Sequence, residues 1–190
     1  MRPKIVAFGE VIWDVYENDR CLGGAGLNFA AHCARCGAES FLYSAVGKDD
    51  LGDAMLAAAR QWGVDISFVG RSDRKTGQSL VSLDDNGVPT FDVLKDVAYD
   101  NITVSDGDIA RLRAVAPDAL YFGTIVRRAP VSRAALDIIR ENVSFRETVC
   151  DVNLRKGCYD TENARFCLRN ATVLKVSDEE EPLLRQMGLY

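Results

Sequence analysis

LGGAGLNFAAHCARCG, residues 22–37, is the stretch that decides the fold of this chain. Three glycines in four residues, Gly23, Gly24 and Gly26, precede small residues at helical spacing, and Gly37 closes the run. Because glycine lacks a Cβ, another chain segment or a ligand can approach its backbone closely. A helix that begins there adds unpaired N–H donors and the positive end of its dipole. The pattern predicts a tight loop that leads into a closely packed helix, with Gly37 as its C-terminal cap.

The glycine loop is compatible with a ligand site and with an ordinary helix start, because short glycine motifs discriminate weakly. A dinucleotide-binding dehydrogenase is a third interpretation, and it would rest on Gly24-Ala25-Gly26 alone. The third glycine of that fingerprint is missing, and the loop follows the second β-prone run instead of the first strand. We therefore set the dehydrogenase aside.

The composition is that of an ordinary globular protein, since 47% of the 190 residues are hydrophobic and 27% are charged. This length allows one sizeable domain, and we treat residues 1–190 as one. The net charge is −5, and no basic patch with interleaved aromatic residues appears, which disfavours nucleic-acid binding. No apolar run reaches membrane-spanning length, and the first residues lack a secretion signal. We expect a cytoplasmic protein without nucleic-acid or membrane partners.

The six cysteines are expected to be reduced thiols, because no export signal accompanies them. Cys33 and Cys36 form a CxxC beside His32, the single histidine of the chain. A metal site would need further ligands at matching spacing, and the sequence offers none. Free cysteine is commonly buried, so the favoured interpretation is that Cys33 and Cys36 lie on a helix and pack their thiols in the protein core.

Strand-like and helix-like segments alternate along most of the sequence. Short apolar runs such as residues 4–8 and 119–122 indicate buried strands, and segments of helical periodicity connect them. This alternation predicts right-handed β-α-β units on a mostly parallel sheet. Residues 76–94 differ, because polar and apolar residues alternate there on both sides of Asn86-Gly87, which predicts a hairpin.

The predicted fold class is therefore α/β, a mostly parallel sheet flanked by helices with a small projecting β-sheet. Pro130 is placed in the first turn of a predicted helix. Ser177 and Glu180 have the spacing of a capping box for a helix that begins at Ser177.

Polar residues follow several of the predicted strands. In an open α/β sheet, ligands bind beyond the carboxyl ends of the strands. The candidates at such ends are Asp14, the loop 23–28, Gly123-Thr124, residues 151–155 and residues 177–180. Together they could surround one small ligand.

Three of these side chains suggest definite chemistry. The Asp14 carboxylate is suited to accept hydrogen bonds from paired hydroxyls, and Asn28 projects from the first turn of the helix. Arg155 has the forked donors that bind a phosphate or a carboxylate. Taken singly, Asp14 is better interpreted as a solvent-facing strand residue, and Asn28 and Arg155 equally well as surface residues. Their combination favours a site.

Longer segments of the chain resemble a known family. GGAGLNFA with the helix to Gly37, followed by Gly47 and Gly52, is similar to the N-terminal signature of the ribokinase-like (PfkB) carbohydrate kinases. Consecutive segments of fructokinase-like members resemble FGEVIWDV, TGQSLVSLDDNG, AYDNI, LYFGTIVRRAP, CDVNLRKGCYD and VLKVSDEE, in the family's order. The resemblance covers essentially the whole chain. It implies an α/β domain with a β-sheet lid, whose strands would come from about residues 11–22 and 76–95. It also implies transfer of the γ-phosphoryl group of ATP to a sugar hydroxyl with magnesium.

The resemblance also implies roles for particular residues. The lid would close over the sugar and exclude water. The residues that would bind the sugar substrate are Asp14, Gly23, Gly24, Asn28, Gln78, Asn153 and Arg155. Lys175 and Ser177 would face the nucleotide, and Glu180 would face the magnesium ion.

Two departures from the family pattern concern activity. Ser177 stands where the family has the asparagine of an Asn-x-x-Glu segment, and a serine lacks the reach of the amide. Family members are also longer, and their C-terminal part carries a Gly-Ala-Gly-Asp segment with the anion hole and the aspartate base. Nothing after Lys175 supplies that segment. We therefore expect no catalytic base in this chain and little activity from these 190 residues alone.

The substrate and the class of function stay open at this point. A fructose-like sugar is favoured, with 2-keto-3-deoxygluconate or a nucleoside behind it, because Arg155 suits an acidic sugar almost as well as a phosphate. A second hypothesis is a non-catalytic sugar-binding or dimerisation module that keeps Asp14, Gly24, Asn28 and the lid. Two exposed strands of alternating pattern favour a homodimer through the lid.

Overall fold

The computed structural model describes residues 2–83 and 86–189, in which ten strands and six helices are found. The strands are β1 (Lys4–Phe8), β2 (Ile12–Val15), β3 (Arg20–Gly23), β4 (Glu39–Gly47), β5 (Asp65–Ser72), β6 (Gly77–Leu83), β7 (Pro89–Val93), β8 (Ala119–Gly123), β9 (Glu147–Asp151) and β10 (Val173–Lys175). The helices are α1 (Ala25–Arg35), α2 (Asp50–Gln61), α3 (Asp106–Val115), α4 (Pro130–Asn142), α5 (Thr161–Asn170) and α6 (Glu180–Gln186). Short 3₁₀ turns cover Ala98–Asn101 and Ile125–Arg127.

The main sheet contains six strands in the order β10-β9-β8-β1-β4-β5. All neighbouring strands in it are parallel, which confirms the predicted β-α-β arrangement. The central strands are buried on both faces, and all five residues of β8 are buried. The sequences of such strands are continuous runs of apolar residues, which is why their positions could be predicted from the sequence.

The helices that flank the main sheet bury one stripe each. In α4, Leu136 and Ile139 are completely buried, and Pro130 occupies the first turn as predicted. In α1, Leu27 and Ala30 are completely buried, and Gly37 follows the helix with a φ of 91°. This left-handed conformation is the one that glycine adopts without penalty at the end of a helix.

The lid is a second sheet of four strands in the order β3-β2-β6-β7. Its strands β2 and β6 are parallel, whereas β3 and β7 pair antiparallel at the two edges. The predicted hairpin is confirmed as β6 and β7, although Asp84 and Asp85 of its turn lie outside the described residues. Gly23 was predicted in the loop before α1, but it ends β3 instead, because Ile12 of β2 pairs with it.

Helix α6 begins later than the sequence predicted, at Glu180 instead of Ser177. The carboxylate of Glu180 accepts a hydrogen bond from the backbone N–H of Ser177 over 2.8 Å, which is one half of a capping box. The N-cap position is Glu179, and no side chain caps the helix there. The glutamate therefore holds residues 177–179 in a turn that precedes the helix.

The six cysteines are free thiols, as the sequence predicted. Cys150, Cys158 and Cys167 are buried, but the expectation of core thiols was wrong for the CxxC. Cys36 is exposed and Cys33 only half-buried, because both lie near the end of α1 beyond the strands that it covers. Within the described ranges, no helix has the length and apolar character needed to cross a membrane.

Candidate active site

A cavity of about 470 Å³ lies between the lid and the edge of the main sheet at which its strands end. Three parts of the chain form its walls: the inner face of the lid, the first turns of α1, and the C-terminal ends of the main-sheet strands. The lining residues are Glu10, Ile12, Asp14, Gly24, Ala25, Asn28, Phe29, His32, Ser79, Phe91, Val93, Tyr121, Ile125, Val149, Asp151, Asn153, Arg155 and Lys175. The cavity thus lies at the edge where the sequence predicted a ligand.

The glycines before α1 allow the chain to pack against itself. A Cβ on Gly26 would lie 2.7 Å from the Cα of Gly9. A Cβ on Gly24, whose φ is 101°, would lie 2.6 Å from the carbonyl oxygen of Glu10. The end of β1 therefore contacts the start of α1 backbone to backbone. The close approach that the sequence predicted is made by the protein itself, and Gly24 lines the cavity as well.

Glu10 supplies a cap that the loop lacks. The N-cap residue of α1 is Gly24, which has no side chain, and the backbone N–H of Ala25 donates instead to Oε1 of Glu10 over 3.2 Å. Glu10 is only 2% exposed. Burial raises the pKa of its carboxyl, and the negative charge of Asp151 raises it further, while backbone hydrogen bonds oppose the shift. A carboxylate at the N-terminus of a helix also suits the helix dipole.

Asp14 and Asn28 face the same cavity from opposite sides. Asp14 lies on β2, where it pairs with Ser79 of the parallel strand β6. Burial raises the pKa of the Asp14 carboxyl, and the positive charge of Arg155 acts in the opposite direction. Asn28 lies in the first turn of α1, which the packing of Gly24 against the β1–β2 connection holds in place. The arrangement offers a carboxylate and an amide to a polar ligand.

Asn153 and Arg155 reach the cavity from the loop after β9. Asn153 has a φ of 40°, a left-handed conformation that asparagine tolerates better than most residues. The hydroxyl of Thr124 donates to the carbonyl oxygen of Val152 over 2.6 Å and so fixes this loop to the end of β8. The guanidinium of Arg155 lies 5.1 Å from the ring centre of Phe91 on the lid. This cation–π contact joins the two walls of the cavity.

Asp151 and Lys175 line the cavity at the C-terminal edge of the main sheet. Their side chains make an ion pair of 3.0 Å between neighbouring strands β9 and β10, where the two residues are paired. Burial raises the pKa of the Asp151 carboxyl, and Lys175 opposes the shift. Lys175 keeps 58% of its side chain exposed, so that its ammonium group is accessible to an anion in the cavity.

Two predicted sugar-binding residues do not line the cavity. Gln78 pairs with Trp13 and lies on the opposite face of the lid from Ser79, since successive strand residues point to opposite faces. Ser79, its neighbour, lines the cavity instead. Gly23 supports Asp14 indirectly, because a Cβ on Gly23 would lie 3.0 Å from the Asp14 carboxylate. Gln78 is thus one residue away from the position that meets the cavity, whereas Gly23 lies on the same face of the lid as Asp14.

Ser177 and Glu180 also lie outside the cavity lining. Glu180 is 8% exposed, and both of its carboxylate oxygens accept backbone hydrogen bonds. One comes from Leu154 over 2.9 Å and the other from Ser177 over 2.8 Å. Glu180 therefore connects the loop that carries Asn153 and Arg155 to the start of α6.

Several lining residues were not found by the sequence reasoning. Ser79 could have been found from its strand, because alternation places it on the same face as Gly77 and Val81. His32 follows Asn28 by four residues, a spacing that places both on one face of a helix. Phe91 gave no signal beyond its place in a strand.

The described residues do not fit magnesium by themselves. Among them, no group of three or more His, Cys, Asp or Glu side chains is placed to hold a metal ion. Glu180, predicted to face magnesium, already uses both carboxylate oxygens for backbone N–H groups. Magnesium usually takes one or two carboxylates together with phosphate oxygens and water.

The family follows from the sequence match. Residues 2–187 match the pfkB family of carbohydrate kinases, and the chain belongs to that family. A sugar kinase of Pyrococcus horikoshii is 28% identical over 186 residues, which cover 93% of this chain and 58% of that protein. The chain thus spans less than two thirds of this relative's length.

Solved structures show the same fold. The Pyrococcus horikoshii sugar kinase in complex with ATP superimposes with a TM-score of 0.83 at 23% identity, covering 97% of this chain and 67% of that one. A fructokinase of Xylella fastidiosa superimposes with a TM-score of 0.82 at 20% identity, covering 99% of this chain and 64% of that one. A third structure is aminoimidazole riboside kinase of Salmonella enterica, complexed with aminoimidazole riboside and an ATP analogue. It superimposes with a TM-score of 0.73 at 23% identity, covering 97% of this chain and 62% of that one. At such identities the likeness shows the fold alone, and the three proteins differ in their named substrates.

Proposed function

We propose that the protein is an ATP-dependent sugar kinase that phosphorylates a hydroxyl of a fructose-like sugar. One observation carries the proposal. The polar groups of the lid, of α1 and of the main-sheet edge converge on one cavity, in a chain of the pfkB family. Transfer of a phosphoryl group depends mainly on positioning and on stabilisation of charge, which a cavity lined with converging polar groups supports.

The sugar would lie between the lid and α1. Asp14 would accept a hydrogen bond from one sugar hydroxyl, and Asn28 would both donate and accept. Arg155 would face the hydroxyl that receives the phosphoryl group, or an acidic group of the sugar, with its forked donors. Fructose is our first candidate, and 2-keto-3-deoxygluconate and nucleosides come next.

The nucleotide would approach from the β10 side of the cavity. The half-exposed ammonium group of Lys175 is suited to attract its phosphates, while the ion pair with Asp151 holds the side chain in place. Ser177 precedes α6 on the same side, although its N–H is taken by Glu180. The base that removes the proton from the sugar hydroxyl would come from the C-terminal segment that family members carry and these 190 residues do not include.

A homodimer through the lid is a further part of the proposal. Leu80 on the outer face of the lid is 47% exposed, and Leu83 at the end of the same strand is 59% exposed. Large exposed apolar side chains of this kind favour pairing with another copy. Light scattering at micromolar concentration should give the mass of a dimer, and a monomer would contradict this part.

The test is a sugar-dependent ATP consumption assay on the protein at its natural length. D-fructose, 2-keto-3-deoxygluconate and adenosine are compared as acceptors, with the wild type and Asp14→Asn. We expect turnover with one of the three, and a KM for that acceptor about 10- to 100-fold higher in Asp14→Asn, because a hydrogen-bonded charge is lost. Asp92→Asn, on the outer face of the same lid, is the matched control.

Sugar binding without turnover would favour the non-catalytic module over the kinase. Absence of both binding and turnover with all three acceptors would overturn the proposed function. An unchanged KM in Asp14→Asn would remove Asp14 from the sugar site.

A further inference from the structure

Ser79 has a buried hydroxyl without a protein partner. Four serines are buried in the described part of the chain: Ser40, Ser44, Ser79 and Ser132. The other three donate to backbone carbonyl oxygens over 2.7 to 2.8 Å, whereas the hydroxyl of Ser79 makes no hydrogen bond with any described residue. Ser79 is only 1% exposed, so bulk water does not satisfy it. Buried hydroxyls are almost always hydrogen-bonded, so this exception needs a reason.

The place of Ser79 supplies that reason. It lines the cavity from the lid and stands opposite Asp14 on the neighbouring strand. Paired residues of adjacent strands lie about 4.8 Å apart on one face of a sheet, so that Asp14 and Ser79 can each bind a different hydroxyl group of one sugar. On its other side Ser79 pairs with Val93, whose side chain offers no hydrogen bond. The cavity is thus the side from which a partner for the hydroxyl can come.

We propose that Ser79 is a specificity-determining residue that hydrogen-bonds the sugar hydroxyl next to the one held by Asp14. This inference rests on the proposed sugar-kinase function and adds to it a requirement for two adjacent hydroxyls. A site with a buried polar group rejects a ligand that leaves this group unpaired far more strongly than an apolar pocket rejects a small change in size. Ser79 would therefore exclude analogues that lack the second hydroxyl.

The test compares Ser79→Ala with Ser82→Ala, the same substitution at an exposed position of the same strand. Calorimetric titration with D-fructose, 2-keto-3-deoxygluconate and adenosine measures affinity, and thermal denaturation of the ligand-free protein measures stability. Both are carried out on the protein at its natural length. For the sugar that binds the wild type, we expect Ser79→Ala to weaken binding about 10- to 100-fold and Ser82→Ala to leave it unchanged.

Thermal stability distinguishes a ligand-binding role from a structural one. Removal of an unpaired buried hydroxyl should leave the melting temperature of Ser79→Ala unchanged or higher. A lower melting temperature with unchanged affinity would mean that the hydroxyl serves the fold, and it would overturn the inference.

Deoxy analogues of the bound sugar complete the test. For one monodeoxy analogue, the wild type and Ser79→Ala should bind with equal affinity, because the hydroxyl that Ser79 holds is already absent. Equal losses for Ser79→Ala with the parent sugar and with every analogue would overturn the inference while leaving the kinase intact. If the wild type binds none of the three ligands, the proposed function fails, and this inference fails with it.

Discussion

The main sheet and the lid are built on different principles. Strands such as β8 in the main sheet are buried on both faces, whereas β6 of the lid buries alternate residues and exposes the others. The main sheet is covered by helices, whereas the inner face of the lid covers the cavity and adds Ile12 and Val93 to the main core. The main sheet is therefore stabilised by its own core, while the lid depends on a few contacts at its base and on what fills the cavity.

The base of the lid is held by Arg128. Its guanidinium binds both carboxylate oxygens of Asp100 over 2.8 Å and donates to the carbonyl oxygens of Val93 and Leu94 at the end of β7. It also lies 5.1 Å from the ring centre of Tyr99. Both charged side chains are almost completely buried, with 8% and 5% exposed. The pair fixes the end of the lid to the 3₁₀ turn of residues 98–101.

The largest expected effect comes from breaking this pair. Asp100→Ala leaves the Arg128 guanidinium buried without its counter-charge, and we expect a loss of about 3–5 kcal/mol in the free energy of unfolding. Urea denaturation measures the loss. Lys48→Ala, which removes the exposed ion pair with Asp73, should leave the midpoint unchanged. Equal midpoints for both variants would mean that the lid does not depend on Arg128.

The second test contrasts a buried leucine of the main sheet with an exposed leucine of the lid. Leu120 in β8 is completely buried, while Leu80 on the outer face of the lid is 47% exposed. Leu120→Ala should lower the free energy of unfolding by about 2–5 kcal/mol, because it leaves a cavity in the core. Leu80→Ala should change it by less than about 0.5 kcal/mol. Comparable losses in urea denaturation would contradict the difference between the sheets.

The smallest effect concerns Glu10, which lies where the two regions meet. Its pKa is raised in the folded protein, so its contribution to stability is complete at low pH and is lost as the pH rises through that pKa. Glu10→Gln keeps an oxygen that can accept from Ala25 but does not ionise. Its melting temperature relative to wild type should therefore rise between pH 4 and pH 8.

The control for Glu10 is the exposed Glu39. The melting temperature of Glu39→Gln relative to wild type should not show this rise with pH. A constant difference between Glu10→Gln and wild type at every pH would show that burial of the Glu10 charge does not influence stability.

Most of the fold could be predicted from the sequence because its patterns are local. Continuous apolar runs gave the central strands, and Pro130 marked the first turn of α4. Asn86-Gly87 between two alternating segments gave the hairpin. The end of the edge strand β3 was misplaced, because its pairing with β2 determines it. The start of α6 was misplaced, because the Glu180 side chain holds Ser177 in the turn before the helix.

The candidate site could be predicted in part. Asp14, Asn28, Asn153, Arg155 and Lys175 were placed at strand ends or in the first turn of a helix, and they line one cavity. Gln78, predicted to bind the sugar, does not line this cavity, whereas its neighbour Ser79 does, since the face of a strand depends on its register with β2.

The sequence by itself determined the α/β class, the family signature and the presence of a lid, since these depend on local periodicity and on motifs of fixed spacing. Only the tertiary structure decided which face of β6 meets the cavity and that Glu10 caps α1 from a distance. It also decided that Glu180 binds backbone N–H groups on both oxygens. Strand register and the burial of charge depend on contacts between segments far apart in the chain, and no local pattern encodes them.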